Sequence, residues 1–234
     1  MLKRWAKLAV CLLPALFVVG CATHKTAPYD YTAFKQSDPH SIVILPPLNN
    51  SPDVNATYSM YAQLTYPLAE AGYYVFPVAL VDETFKQNGL STATDIHAVS
   101  TDKLRDIFGA DAALYVTISS YGSSYTVINS VVTVTASAKL VDLKTKAILW
   151  TGTASANNNE GNNNSNGGLI GALVAAAVKQ VVHSTTDASH PVAGTASARL
   201  LSGGTRDGIL YGPRSPSYSK QQATPRPAGD ASKS

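Results

Sequence analysis

Read from the amino end, short apolar runs alternate with polar breaks rich in proline and glycine, and each run's length predicts an element. Leu8 to Val19 is an apolar stretch interrupted by Pro14. Residues 22–40, "ATHKTAPYDYTAFKQSDPH", are polar and lack an apolar period, so they read as a tether. "SIVILPPL" (41–48) opens the domain: Ile42 to Leu45 has the continuous apolarity of a strand buried on both faces, and Pro46 and Pro47 end it. After the loop "NNSPDVNAT", residues 55–71 predict a helix with Met60, Leu64 and Leu68 four apart and Gly72 as its stop. Pro67 predicts a kink or an early end. "YYVFPVA" (73–79) predicts a second strand, and residues 80–88 a short helix ending at Gly89. Ser100, Thr101 or Asp102 can cap another helix through Phe108, with Leu104, Ile107 and Phe108 turned inward and Gly109 closing it.

The strongest β pattern follows. "AALYVTISSY", "SYTVINSVVTVTASAKLVDL" and "KAILWTGTAS" are long segments rich in Val, Ile, Thr and Tyr, with alternation in "VTVTASAKLV". "DLKTKA" between the last two reads as a hairpin turn. After the loop-like run "NNNEGNNNSNGG", Leu169 to about His183 is apolar and alanine-rich, and Thr195 to Leu201 predicts a further short helix. The apolar run from Leu169 falls short of a bilayer's width. Small residues four apart in it, Gly171 with Ala175 and Ala172 with Ala176, suit either a core helix or a self-associating one. The order of elements predicts one α/β domain over residues 41–212: a mixed sheet, built from a β-α-β unit and an antiparallel meander, covered by helices. Residues 213–234 read as a flexible tail.

Composition changes this picture at the amino end. The chain has 234 residues, 45% of them hydrophobic, enough for one substantial core. Lys3, Arg4 and Lys7 ahead of the first apolar stretch give residues 1–20 the layout of an export signal. "VVGC" (18–21) resembles the lipobox of bacterial lipoproteins: an aliphatic Val18, a small Gly20 before the cut, and the thiol of Cys21 to accept lipid. Cleavage between Gly20 and Cys21 removes Cys11, and a mature chain acylated at Cys21 holds no disulfide. Ala22 stands where an acidic residue would retain such a protein at the inner membrane, so the resemblance implies the outer membrane. Three of the 18 basic residues fall in the signal, which leaves them balanced against 15 acidic ones, and no run of like charge supports a nucleic-acid partner.

Candidate chemistry is sparse. The chain has no G-x-S-x-G elbow, phosphate-binding loop, H-E-x-x-H or G-x-G-x-x-G after a strand, so no catalytic residue and no cofactor is expected. His183, Asp187 and His190 would share a face of an unbroken helix. "STTDASHP" is a poor helix former ending in Pro191, and a metal site is not expected there. His24, His40 and His97 are isolated. Glu70, Asp82 and Glu83 read as solvated helix-surface acids.

"IVILPPLNNS" (42–51), "GADAALYVTI" (109–118) and "AKLVDLKTKAILWTGTAS" (138–155) resemble a family of uncharacterised Gram-negative lipoproteins that includes a surface-exposed vaccine candidate. More distantly, the order of elements is similar to the curli-secretion channel lipoprotein, the Tol-system amino-terminal domain and the lipoproteins that activate penicillin-binding proteins. Pro46, Asn49, Asp111, Val141, Asp142 and Thr145 occupy matching places, with Asp142 and Thr145 suited to a turn. The long amphipathic hairpins of the channel former have no counterpart in this polar, serine-rich meander. The resemblance implies a non-catalytic protein-interaction component of an envelope assembly or secretion system. It implies an anchor to the bilayer through Cys21, with a curli-channel-like lipoprotein among the candidate partners and a homodimer among the assemblies it allows. The alternatives are a subunit of a curli-channel-like pore and an activator of a peptidoglycan synthase.

Overall fold

The structure, a computed structural model, describes residues 29–125, 130–160 and 188–223. Within them the order is α1 (Thr32–Ser37), β1 (Ser41–Ile44), β2 (Leu48–Asn49), α2 (Ala56–Glu70), β3 (Tyr74–Val75), α3 (Val78–Gln87), α4 (Ala93–His97) and α5 (Thr101–Phe108). The meander β4 (Ala112–Tyr125), β5 (Ser130–Asp142) and β6 (Ile148–Asn157) follows, then α6 (Ser189–Leu201) and α7 (Tyr218–Ala223). One mixed sheet runs β3-β1-β4-β5-β6, with β2 paired beside β4. β1 is parallel to both β3 and β4, and the meander is antiparallel. This is the expected α/β architecture, with β1-α2-β3 as its β-α-β unit.

Apolar alternation decides which face each helix covers. Leu114, Val116, Ile118, Val134, Ala136 and Leu140 point to one face, where α2 and α6 bury Met60, Leu64, Leu68, Val192, Ala193 and Ala196 against them. On the opposite face Val43, Leu45 and Ala113 meet Val81 and Phe85 of α3, Ile96 of α4 and Leu104 of α5. That second layer stops at the β1 and β4 side, so the same face of β5 and β6 has no helix over it among the described residues.

Several boundaries differ from those the sequence predicts. Residues 29–40 are not a tether: Phe34 of α1 is buried, Tyr29 and Tyr31 pack against the core, and the Tyr31 hydroxyl donates to the Gly208 carbonyl at 2.6 Å. The expected end at residue 212 is also too early. Gly212 and Arg214 donate to the Ala71 and Gly72 carbonyls at 2.8 and 3.0 Å, and the Tyr218 hydroxyl donates to Asp38 at 2.6 Å. α6 begins at Ser189, ahead of the expected Thr195, because Pro191 lies in its first turn, where a missing N–H costs nothing. Pro67 stands in the last turn of α2, where it gives up the bond to the Gln63 carbonyl, and the helix nonetheless runs on to Glu70. β3 keeps two residues of the expected strand, with α3 starting at Val78, and α4 was not expected at all. Ile107 faces solvent, whereas Leu104 is buried. The predicted caps hold: Ser100 Oγ accepts from the Lys103 amide, and Gly109 closes α5 at φ 63°.

β6 is an edge strand with two of its outward backbone groups engaged. The Thr151 amide donates to the Tyr29 hydroxyl at 2.9 Å, and Arg199 Nη1 donates to the Ser155 carbonyl at 2.8 Å. Arg199 also pairs with Glu160.

Candidate functional site

Gly20 and Cys21 lie outside the described residues, as do His183, Asp187 and the Leu169 to Val182 run. His190 has both ring nitrogens occupied: Nδ1 lies 2.7 Å from Ser59 Oγ and Nε2 lies 2.6 Å from the Gln63 amide. Gln63 Nε2 is an amide donor, so His190 Nε2 accepts from it, and Nδ1–H donates to Ser59 Oγ, which also accepts from the Tyr121 hydroxyl at 2.5 Å. The chain of groups ties α6 to α2 and β4. No group of three or more metal-ligating side chains occurs among the described residues.

Asn49, Asp111 and Asp142, singled out in the sequence, fasten loops. Asn49 Oδ1 accepts from the Ser51 amide and hydroxyl at 2.9 and 2.7 Å. The Asp111 carboxylate, at the start of β4, accepts from the His40 and Ser41 amides and the Ser41 hydroxyl at 3.0, 2.9 and 2.7 Å. Asp142 Oδ1 accepts from the amides of Lys144 and Thr145 at 2.7 and 2.6 Å, closing the β5–β6 turn, while Oδ2 accepts from Ser37. Burial alone would raise its pKa. The Ser37 hydroxyl and the two turn amides outweigh that and hold the carboxyl below the usual range.

Two surface features remain. The first lies on the sheet face that α3–α5 leave uncovered. Strand register sets Tyr115, Lys139 and Thr151 side by side across β4, β5 and β6, and Thr117, Ser137 and Thr153 in the next rung. These two rungs floor an open groove of about 660 Å³, walled on the β4 side by Leu48 and His97. His97 Nε2 lies 2.9 Å from the Pro46 carbonyl, and its ring stands edge-on to Tyr115 at 5.3 Å. Burial pushes the His97 pKa down, against the raising effect of the Pro46 carbonyl, so the ring is neutral near pH 7. Lys139 Nζ sits 5.1 Å from the Tyr115 ring centroid.

The second is a stripe on α2. Tyr58, Ala62 and Tyr66 recur every four residues and so share a face opposite the buried Met60, Leu64 and Leu68. Tyr58 is 52% exposed and Tyr66 71%, and Val54 before the helix and Leu80 on α3 are exposed as well. The stripe's residues are spaced regularly in sequence but do not stand out there, because tyrosine serves core and surface equally.

No described helix is long and apolar enough to cross a membrane. "Putative lipoprotein NMB1124/NMB1162" of Neisseria meningitidis serogroup B is 53% identical over 203 residues, covering 87% of this chain and 94% of that protein. The crystal structure of lipoprotein GNA1162 from Neisseria meningitidis, 57% identical, superposes with a TM-score of 0.51 over 62% of this chain and all of that one. A PelC dodecamer from Paraburkholderia phytofirmans, 12% identical, gives a TM-score of 0.40 over 68% of this chain and 84% of that one. The names of the two Neisseria meningitidis relatives designate lipoproteins. The family described as "Putative lipoprotein GNA1162-like" matches residues 29–214, and the chain belongs to that family.

Proposed function

We propose that this chain is an outer-membrane lipoprotein, cut after Gly20 and acylated at Cys21, that works as a non-catalytic protein-interaction component of an envelope assembly. The exposed Tyr58–Tyr66 stripe carries the reading. Large rings with polar tips on a regular helix are the side chains that dominate protein interfaces, and they cost little conformational entropy to order. The family's lipoprotein designation and the lipobox at 18–21 support the anchor. With α1 packed on the domain, the residues between Cys21 and Tyr29 span at most about 25–30 Å at full extension. A domain held that close to the bilayer meets membrane-bound partners at high effective concentration, so a modest binding face suffices. The uncovered face of β4–β6 carries Thr117, Ser137, Lys139, Thr151 and Thr153, a polar surface that a lipid-facing barrel wall would not tolerate.

A photo-crosslinking residue placed at position 66 of the full-length protein in cells, with position 106 on α5 as control, tests the reading. A discrete adduct from 66 that is absent from 106 and weakened by Cys21→Ser is expected. An absence of adduct from 66, no palmitate incorporation at Cys21, or a large ring by light scattering in detergent would overturn it.

A further inference from the structure

The groove on the bare sheet face has a chemistry that the α2 stripe does not share, and its use does not depend on the proposed function. Its floor is a polar grid. Neighbouring strands lie about 4.8 Å apart and successive same-face residues about 7 Å apart, so six side chains present their tips over an area matching two or three linked small rings. In the next rung along, the hydroxyls of Thr135 and Ser155 satisfy one another at 2.8 Å. Within the groove the hydroxyls of Thr117, Ser137, Thr151 and Thr153 make no such bond to any other described residue. They are free to exchange hydrogen bonds with a ligand that both donates and accepts, as a polyol does.

The groove has one charge. Lys139 forms no ion pair with a described residue, and no carboxylate lines the groove. Tyr115, whose phenol is pushed up by burial and so stays protonated, can add a donor. His97 gives its Nε2 proton to Pro46 and, being neutral, offers only an acceptor at Nδ1. A lone ammonium beside several hydroxyls fits a single acidic group carried on a hydroxylated scaffold better than a multiply charged phosphate, which needs clustered cations. We propose that the groove over the two rungs is a binding site for an acidic saccharide, with Lys139 receiving its carboxylate and the Thr and Ser hydroxyls its ring hydroxyls.

Calorimetric titration of the full-length protein in detergent tests this with three probes: glucuronosyl-xylobiose, which carries one carboxylate, the neutral xylotriose, and inorganic phosphate. Glucuronosyl-xylobiose should bind, xylotriose about tenfold or more weakly, and phosphate not measurably, since the carboxylate bond is charge-assisted. Lys139→Gln should weaken the acidic probe about tenfold and leave xylotriose unchanged, because the neutral trimer has no carboxylate to meet the exposed ammonium. Thr153→Val should weaken both saccharides, by about threefold or more each. Melting temperatures of both variants should match wild type. Absence of saccharide binding, equal affinity for acidic and neutral trimers, phosphate binding as tightly as the acidic trimer, or a Lys139→Gln variant with undiminished affinity would each overturn the proposal.

Discussion

Gly152 is glycine for want of space, and the consequence can be measured. Its φ is not in the left-handed region, so backbone conformation does not demand glycine there. A Cβ at Gly152 would instead stand 2.3 Å from Trp150 Cζ2 and 2.5 Å from Cη2, well inside contact distance. Trp150 is buried, and its Nε1 donates to the Asp207 carbonyl at 3.0 Å. A methyl at 152 therefore forces the indole to move and lose that bond. Overpacking of this kind costs about 1–3 kcal/mol and the hydrogen bond about 1 kcal/mol, so Gly152→Ala should destabilise the domain by about 2–4 kcal/mol. In a domain of this size that lowers Tm by roughly 5–15 °C. Calorimetry reads the shift. Fluorescence reads the cause in a chain that starts at Ala22, which drops Trp5 and keeps Trp150 as its one tryptophan. Trp150→Leu removes the obstructing ring, and in that background Gly152→Ala should cost less than about 1 kcal/mol. Gly122→Ala is the control: it meets open space but carries φ 115°, so its cost is backbone strain and does not depend on Trp150. A Gly152→Ala variant melting within a degree of wild type, or one equally damaging without the indole, would refute the reasoning.

Three further outcomes are expected. Thr65 Oγ1 is the one buried side-chain polar atom without a partner among the described residues, so Thr65→Val should stabilise by about 1 kcal/mol, seen as a Tm rise of about 2–4 °C. Asp142→Asn should cost about 1–3 kcal/mol at pH 7 by chemical denaturation, through weaker bonds to Ser37 and the turn amides. Because the native carboxyl sits below its ordinary value of 3.8, the wild type's advantage is full above that pH and shrinks as pH falls through the lower native pKa. Asp111→Ala strips three hydrogen bonds from the β1 entry and should cost about 2–4 kcal/mol, with amide exchange quickening first at Ser41.

The sheet was legible because its signals are local. Alternation in "VTVTASAKLV" predicts β5, and Asp142 predicts the turn that its carboxylate in fact closes. α2 declared itself through Met60, Leu64 and Leu68. What was missed depends on distant partners. "TAFKQS" has one apolar anchor, Phe34, and becomes helical because the core offers Phe34 a place. Residues 213–218 look like the start of a tail by composition. They are held because Gly72, at φ 98°, lets Gly212 and Ser215 approach the end of α2. The groove left no trace in the sequence: its two rungs come from residues 115–117, 137–139 and 151–153, and its openness depends on where α3–α5 stop.

The two bonds on the outer edge of β6 restrict how this molecule can be engaged. A foreign strand joining the sheet there would need the Thr151 N–H and the Ser155 carbonyl, and the Tyr29 phenol and the Arg199 guanidinium already hold them. The opposite edge offers only the two residues of β3. Extension of the sheet by main-chain addition is therefore discouraged at both ends, so crowding does not by itself zip copies into filaments. Recognition is left to side chains on the helical and open faces, where a single substitution can change the partner without touching the fold.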